Sequence, residues 1–258
     1  MPKELYIEKT GSIATLIINR PDKKNAFTLA MFEKLPILIE EVEQDSSIKV
    51  LIIKGIDQTA FSAGADITEF LENRFSEKKA KEYNDKALYA VDRLYRFSKP
   101  TIAVIQRLAV GGGLELSLAC DFRFASDDSL LGIQAAKLGF IYNLTSTKRL
   151  LDTVGPSKTK ELLFSANLVD AKEALRIGLI DYVQSSDEIQ GQALQLAEQL
   201  AERSTVSTTG MKKVIQSILD GAIEEDEAIS SLILKSFHSE DYKDGIQAFL
   251  EERKPQFK

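Results

Sequence analysis

The chain has 258 residues, of which 44% are hydrophobic and 28% are charged. This composition is typical of a globular protein with one large domain, or one domain and a smaller appended region. The net charge of −6 gives no global support for nucleic-acid binding, and no apolar run approaches transmembrane length. The charged, alternating N-terminus predicts a strand rather than a signal peptide. We therefore expect a cytoplasmic protein that binds neither nucleic acid nor membrane.

The chain has one cysteine, Cys120, and one histidine, His238. A single cysteine excludes an internal disulfide, and its apolar surroundings predict a buried free thiol. With one histidine, neither a Ser-His-Asp triad nor a histidine-based metal site is expected. We assign His238 a structural or interface role and predict no metal.

The first half of the chain alternates predicted strands and helices. Strands are predicted at 6–8, 13–19, 50–55, 101–105, 122–125 and 130–133, and helices at 29–44 and 76–97. Thr28 is a predicted N-cap of the first helix, and Pro36 inside it predicts a kink. This order indicates an α/β fold.

From residue 144 onward the pattern is almost entirely helical. Asn143 is a predicted N-cap for the helix that follows it. Further helices are predicted at 156–166, 170–177, 189–203, 205–220, 224–237 and 241–252, with a brief extended piece at 181–183. The organisation is therefore a strand-rich first half followed by a helical tail.

Two turns made of small residues follow apolar strands, at 61–67 and at 108–116. The strand at 101–105 is predicted to lead into the second turn, where glycines 111–113 leave backbone N–H groups uncovered and Glu115 lies in the first turn of a helix. If the two strands are neighbours, one N–H from each turn can bind a single carbonyl oxygen and form an oxyanion hole. The alternative is that each turn is only a tight strand-to-helix connection. A phosphate site is less favoured, because the chain lacks a Gly-x-x-x-x-Gly-Lys-Ser/Thr run.

Together these segments resemble the crotonase, or enoyl-CoA hydratase/isomerase, superfamily. The matching segments cover essentially the whole chain: 19–26 (NRPDKKNA), 61–67 (FSAGADI), 99–103 (KPTIA), 111–116 (GGGLEL), 119–123 (ACDFR), 171–180 (AKEALRIGLI) and 248–255 (AFLEERKP). The resemblance implies a spiral of ββα units that forms an acyl-CoA-binding core over 1–200. It also implies a C-terminal helical trimerisation region over 201–258, in a homotrimer or homohexamer.

The resemblance further implies an acyl-CoA substrate and no separate cofactor, because coenzyme A enters as part of the thioester. It places the oxyanion-hole N–H groups on Ala65 and Gly112. The stretch that contacts coenzyme A falls on Lys24, Asn25, Ala26, Ala63, Asp66 and Ile67. Arg253 and Lys254 are weaker candidates for phosphate contact from a neighbouring subunit, and a local basic patch of this kind is compatible with a negative net charge.

The chain departs from the hydratase pattern at Ala135 and in the loop at 140–144, which replaces the glycine-rich loop of the family. Family hydratases hold a water between two glutamates; one matches Glu115, but Ala135 occupies the position of the other. Alanine can neither accept nor donate a proton, which puts ordinary paired acid–base hydration in doubt. The loop at 138–144 resembles the methylmalonyl-CoA decarboxylase branch, which has a functional tyrosine where Tyr142 lies. Ala65 departs from this branch, which has a histidine there.

Three functions therefore stay open, of which the first is the one we predict and the others are alternatives. The first is decarboxylation of a 2-carboxyacyl-CoA, in which Tyr142 orients the leaving carboxylate and Gln134 or Asn143 assists in an apolar pocket beside Ala135. The second is an enoyl-CoA hydratase or isomerase working with Glu115 alone, since isomerisation needs only one base. The third is a catalytically weak acyl-CoA binding protein. For Glu115, Tyr142 and Asn143 a purely structural role is the competing interpretation.

Overall fold

The computed structural model describes residues 3–257 and shows an α/β fold with a six-stranded and a three-stranded sheet. The strands are β1 (Leu5–Thr10), β2 (Ile13–Ile18), β3 (Val50–Gly55), β4 (Thr101–Ile105), β5 (Leu108–Val110), β6 (Phe122–Ser126), β7 (Leu130–Gly132), β8 (Val169–Asp170) and β9 (Tyr182–Gln184). The larger sheet has the order β1-β2-β3-β4-β6-β9, and the smaller sheet has the order β5-β7-β8.

The larger sheet is parallel beyond its first hairpin. β1 and β2 pair antiparallel, whereas β2 with β3, β3 with β4, β4 with β6 and β6 with β9 pair parallel. Every residue of β4 is buried, as expected for a parallel strand covered on both faces. Alternate side chains of β3 enter different cores: Val50 and Ile52 join one hydrophobic cluster, and Leu51 and Ile53 join the other.

Helices cover both faces of this sheet. They are α1 (Leu29–Gln44), α2 (Phe70–Asn73), α3 (Glu77–Tyr95), α4 (Gly112–Leu118), α5 (Ala135–Leu138), α6 (Leu144–Ser165), α7 (Ala171–Arg176), α8 (Ile189–Ala201), α9 (Thr205–Leu219), α10 (Glu227–Ser236) and α11 (Glu240–Leu250). α8 packs Ile189, Ala193 and Ala197, spaced four residues apart, against one face. α1 and α3 contribute to the larger cluster.

Local signals in the sequence place most helix ends correctly. Thr28 caps α1 by accepting a hydrogen bond from the Met31 N–H at 3.2 Å. α1 runs through Pro36 without interruption, with Leu35 and Ile39 buried on either side of the proline. α6 contains the predicted break, because Gly155 has φ +74° and ψ 171° immediately before Pro156.

One expectation about the glycine turn is wrong. The turn at 111–113 does not follow β4, because the short strand β5 lies between them and belongs to the smaller sheet, where it pairs with β7. Three apolar residues beside three glycines are too short a run to predict as a strand. An isolated bridge between Ser62 and Ala109 joins β5 to the other small-residue turn. The two turns therefore meet through β5.

The helices after α8 carry many exposed apolar side chains in the single chain. They include Met211, Ile215, Ile218, Phe249 and Leu250. This exposure is of the kind that an oligomer interface covers. The division at residue 200 and the trimeric or hexameric assembly stay predictions. Across residues 3–257, no helix combines the length and apolar character needed to cross a membrane.

The contact between the two turns predicts a stability effect. A Cβ atom at Gly113 would lie 2.3 Å from the backbone oxygen of Ser62, so Gly113→Ala forces the turns apart. We expect the free energy of unfolding in urea to fall by about 1–3 kcal/mol. Gly191→Ala in α8 is the matched control, because its Cβ meets open space and alanine favours the helix. Equal stability of Gly113→Ala and the wild type would contradict this packing.

Candidate active site

Two backbone N–H groups lie side by side and have no protein acceptor among the described residues. On one turn, the Gly64 oxygen accepts from the Phe27 N–H at 2.7 Å and the Asp66 N–H donates to the Phe27 oxygen at 2.8 Å. The Ala65 N–H between them makes no hydrogen bond within 3–257. On the other turn, Gly112 is the first residue of α4, so its N–H has no partner within the helix. Both groups are free to bind one oxygen.

The geometry of Gly64 explains how these two N–H groups come together. Gly64 has φ +92°, and a Cβ there would lie 2.6 Å from the Val110 oxygen and 3.1 Å from the Gly112 nitrogen. Only glycine fits this conformation and this spacing. A Cβ on Gly112 would lie 3.5 Å from the Ala65 nitrogen, so these two backbones are in van der Waals range. This is the arrangement predicted for an oxyanion hole.

Glu115 lies beside these donors and is almost completely buried, with 7% of its surface exposed. Its carboxylate accepts hydrogen bonds from the Ser146 hydroxyl and, at 3.1 Å, from the Tyr142 hydroxyl. Burial raises the pKa of Glu115, and these two hydrogen bonds together with the charge of Arg149 oppose the rise. A carboxyl group in such a site is suited to exchanging protons near neutral pH.

Arg149 supplies the positive charge behind Glu115. Its Nη1 lies 3.7 Å from Glu115 Oε1, and its Nη2 is 2.9 Å from Asp92 Oδ1. The guanidinium also lies 4.5 Å from the centre of the Tyr95 ring. Arg149 is therefore a positioning residue, because its charge lies next to Glu115 while Arg149 itself does not line the cavity.

Tyr142 and Asn143 both line the cavity, and both are already engaged. Burial and the neighbouring charge of Glu115 raise the pKa of Tyr142 well above its ordinary value, so its hydroxyl stays a donor. Asn143 caps α6, since its Oδ1 accepts from the Ser146 N–H at 2.8 Å. The predicted cap is confirmed, and Asn143 caps α6 and lines the cavity at once.

The cavity has a volume of about 190 Å³. Besides the donors and Glu115, it is lined by Ile67, Phe70, Leu88, Val91, Gln134, Ala135, Leu138 and Phe140, among others. Ala135 is buried at the start of α5. Among the described lining residues Glu115 is the only Asp or Glu. The site therefore offers two backbone donors and one acid–base group in mostly apolar surroundings.

The stretch assigned to coenzyme A binding frames one side of this site. Ala63 and Ile67 line the cavity, and the Ala63 N–H donates to the backbone oxygen of the exposed Lys24 at 2.9 Å. Asn25 is fully buried and bonds the Ala60 oxygen at 2.6 Å, and the adjoining Ala26 is also buried. These contacts hold residues 24–26 against residues 60–63.

Asp66 and Arg253 already have ion-pair partners in the single chain, whereas Lys254 is exposed. Asp66 is buried, with Arg20 at 3.1 Å, and it caps a short 3₁₀ helix through the Thr68 N–H. Arg253 is ion-paired with Asp244 at 2.6 Å and with Glu251. Neither Arg253 nor Lys254 lines the cavity of its own chain. Their contact with a neighbouring subunit's substrate stays a prediction.

Sequence reasoning missed Ser146, whose hydroxyl donates a hydrogen bond to Glu115, and Arg149, whose positive charge lies next to Glu115. A signal was present, because positions 143, 146 and 149 follow one another at three-residue spacing on one face of α6. The packing of this face on α4 has no local signal, so the sequence does not connect it with Glu115.

The chain was compared with known proteins. A family model described as enoyl-CoA hydratase/isomerase matches residues 8–258. A short-chain-enoyl-CoA hydratase from Clostridium acetobutylicum is 34% identical over 97% of this chain and 95% of its own. The 2,3-dehydroadipyl-CoA hydratase from Escherichia coli is 31% identical over 99% of this chain and 98% of its own. The crystal structure of an enoyl-CoA hydratase/isomerase family protein from Hyphomonas neptunium has TM-score 0.97 and 34% identity, covering 100% of this chain and 98% of that one.

The α/β fold with paired backbone donors beside a buried acid is that of an acyl-CoA-processing enzyme. The chain belongs to the enoyl-CoA hydratase/isomerase family, within the crotonase superfamily. The predicted family and fold are therefore confirmed. The names of these relatives favour hydration over the decarboxylase branch.

Proposed function

We propose that the protein is an enoyl-CoA hydratase/isomerase in which Glu115 is the only carboxylate that transfers protons to or from the substrate. The observation that carries this proposal is the pair of unpaired N–H groups on Ala65 and Gly112 beside the buried Glu115. A thioester oxygen bound to those donors would carry the negative charge that develops in an enolate. Losing one such donor typically costs about 3 kcal/mol of barrier.

In hydration, Glu115 takes a proton from water, and the hydroxide forms a bond to C3 of a 2-enoyl thioester. The π electrons move to the thioester oxygen at Ala65 and Gly112. The enolate then collapses, and Glu115 returns the proton to C2. One carboxylate thus serves first as base and then as acid, so the alanine at 135 does not prevent the reaction.

In isomerisation, Glu115 removes a proton from C2 of a 3-enoyl thioester and returns it to C4. The same enolate forms in the same backbone site, and no water is consumed. Both reactions therefore depend on one proton carrier and one set of oxyanion donors.

The test is incubation of the purified protein with crotonyl-CoA and, separately, with 3-hexenoyl-CoA. The thioesters are separated by liquid chromatography against authentic standards before mass spectrometry, because the two hexenoyl isomers have the same mass. We expect a product 18 mass units heavier from crotonyl-CoA, which corresponds to one added water, or conversion of 3-hexenoyl-CoA to its 2-enoyl isomer. If neither substrate reacts, the proposal is wrong.

Decarboxylation of a methylmalonyl-CoA-like substrate is a second candidate because Ala135 and Tyr142 both line the cavity. The absence of a second carboxylate among the described lining residues would spare a 2-carboxyl group from repulsion. The Tyr142 hydroxyl donates to Glu115, which favours a role in orienting the acid. Formation of propionyl-CoA from methylmalonyl-CoA would support this candidate, and it should survive Glu115→Gln, whereas hydration should not.

We further propose that coenzyme A lies along residues 24–26 and 63–67. The hydrogen bond between the backbones of Lys24 and Ala63 supports this placement, because it brings an exposed lysine next to a cavity residue. Arg253 and Lys254 would reach the phosphates only from a neighbouring subunit of a trimer or hexamer.

Tyr142→Phe should change the pH profile of hydration. The Tyr142 hydroxyl stabilises the ionised carboxylate and so lowers the pKa of Glu115. Its removal raises that pKa further, and the base form then predominates only at higher pH. We expect the acid limb of kcat/KM to move to higher pH while the fold is retained. An unchanged acid limb would show that the hydrogen bond does not control Glu115.

A further inference from the structure

One guanidinium, that of Arg74, lies in the wall of the cavity. Arg74, at the end of α2, lines the cavity and is half-buried. Its guanidinium carbon lies 4.4 Å from the centre of the Phe70 ring, 5.2 Å from that of Phe140 and 5.3 Å from that of Tyr83. Its Nη2 donates to Asn84 Oδ1 at 2.6 Å. Within residues 3–257 no carboxylate forms an ion pair with Arg74.

Tyr83 adds an unpaired donor next to this guanidinium. Its side chain is 3% exposed and lines the cavity, yet its hydroxyl has no hydrogen-bond partner among the described residues. Burial raises the pKa of Tyr83 to about 12, so the hydroxyl keeps its proton. Buried polar groups nearly always have a partner, so the unpaired hydroxyl of a residue that lines the cavity marks a missing partner at this wall.

Arg74 is not engaged with the catalytic carboxylate. Glu115 is bonded by Ser146 and Tyr142, and the positive charge that acts on its pKa comes from Arg149. Burial lowers the pKa of Arg74. Arg149 therefore acts on Glu115, whereas Arg74 lines the cavity itself. The Arg74 guanidinium, which lies among aromatic rings, is therefore available to bind a negatively charged group on the acyl chain.

We propose that Arg74 and Tyr83, with Asn84 orienting the guanidinium, form a carboxylate subsite for the far end of the acyl group. The favoured substrates would then be enoyl-CoA thioesters that end in a second carboxylate. This inference rests on the proposed function and names its substrate class. A guanidinium matches a carboxylate with two parallel hydrogen bonds, and the tyrosine hydroxyl supplies a third donor.

The test is equilibrium binding of saturated acyl-CoA pairs, which cannot be hydrated. Adipoyl-CoA is compared with hexanoyl-CoA, glutaryl-CoA with pentanoyl-CoA, and suberoyl-CoA with octanoyl-CoA, by titration calorimetry. In at least one pair the carboxylated ligand should bind the wild type about tenfold more tightly, as for a hydrogen-bonded charge. The pair with the largest ratio reports the distance between the thioester and the subsite.

Variants show whether Arg74 is responsible for the preference. The measured quantity is the Kd of the uncarboxylated ligand divided by the Kd of its carboxylated partner. Arg74→Met should bring this ratio close to one, and Arg74→Lys should leave an intermediate ratio. Tyr83→Phe should also reduce the ratio. Lys78→Met, which removes an exposed positive charge of α3, should keep the wild-type ratio. Urea unfolding checks that each variant is folded. If Arg74→Met does not fold, Arg74→Lys still tests the subsite. A lysine cannot form the two parallel hydrogen bonds of a guanidinium, so an unchanged wild-type ratio in Arg74→Lys would contradict the proposal.

Crotonyl-CoA hydration by the wild type is measured as well, and it distinguishes a failure of the subsite from a failure of the proposed function. If the wild type hydrates crotonyl-CoA but shows no carboxylate preference at any length, the subsite is wrong and the proposed function stands. If carboxylated ligands are preferred but no enoyl-CoA reacts, the subsite stands and the proposed function is wrong. A preference that persists in Arg74→Met also overturns the assignment to Arg74.

Discussion

Glu115→Gln should lower kcat for crotonyl-CoA hydration by about 10²–10⁴-fold, the usual contribution of a general acid–base group. Glutamine keeps the shape of the side chain and can still accept hydrogen bonds through its amide oxygen, but it cannot take a proton from water or return one to C2. Steady-state kinetics with crotonyl-CoA at several pH values measure the loss. Glu72→Gln is the matched control, because Glu72 is exposed and does not line the cavity.

The fold of Glu115→Gln should be retained. Burial raises the pKa of Glu115 in the folded chain above its unfolded value, so the folded state binds more protons in that pH interval. Stability therefore falls as pH rises through the interval. Glutamine removes this dependence, and the free energy of unfolding of the variant at neutral pH should equal or exceed that of the wild type. Wild-type kcat in a folded Glu115→Gln variant would contradict the role of Glu115.

Gly112→Ala should abolish most activity without destabilising the chain. The new Cβ would lie 3.5 Å from the Ala65 nitrogen and 3.7 Å from the Gly64 Cα, which are ordinary contacts. It would occupy the space where the thioester oxygen meets both N–H groups. Loss of oxyanion stabilisation typically lowers kcat by about 10²–10³-fold.

The neighbouring glycine makes this test specific. Gly113→Ala creates a contact of 2.3 Å with the Ser62 oxygen and should lose stability, whereas Gly112→Ala should lose catalysis. Urea unfolding and crotonyl-CoA kinetics on both variants, with Gly191→Ala as control, separate the two effects. Undiminished turnover by Gly112→Ala would mean that the thioester oxygen binds elsewhere.

Much of the site is visible in the amino-acid sequence because its parts are local. The turns at 61–67 and 108–116 are contiguous runs of small residues, and Glu115 follows its glycines by a fixed spacing, so the sequence alone locates both. Asn143 is predictable in the same way, since an N-cap is a local feature. Their convergence is expected from neighbouring strand ends at one edge of a sheet, but the structure brings the two turns together through β5.

The rest depends on contacts between distant segments. Ser146 and Arg149 surround Glu115 because α6 packs on α4, and 31 residues separate Ser146 from Glu115. β5 is not predicted because a three-residue strand has too little periodicity to be distinguished from a turn. Arg74 and Tyr83 line the cavity only because α2 and α3 fold over it, and their spacing alone is that of an ordinary amphipathic region.

The central claim is that one carboxylate transfers protons to and from an acyl-CoA at a backbone oxyanion site. The most direct test is one incubation of the wild type with equal amounts of crotonyl-CoA and methylmalonyl-CoA in D₂O, followed by mass spectrometry. We predict 3-hydroxybutyryl-CoA carrying one deuterium at C2, and its loss in Glu115→Gln. Propionyl-CoA as the only product, or hydration that is unchanged in Glu115→Gln, would contradict the claim.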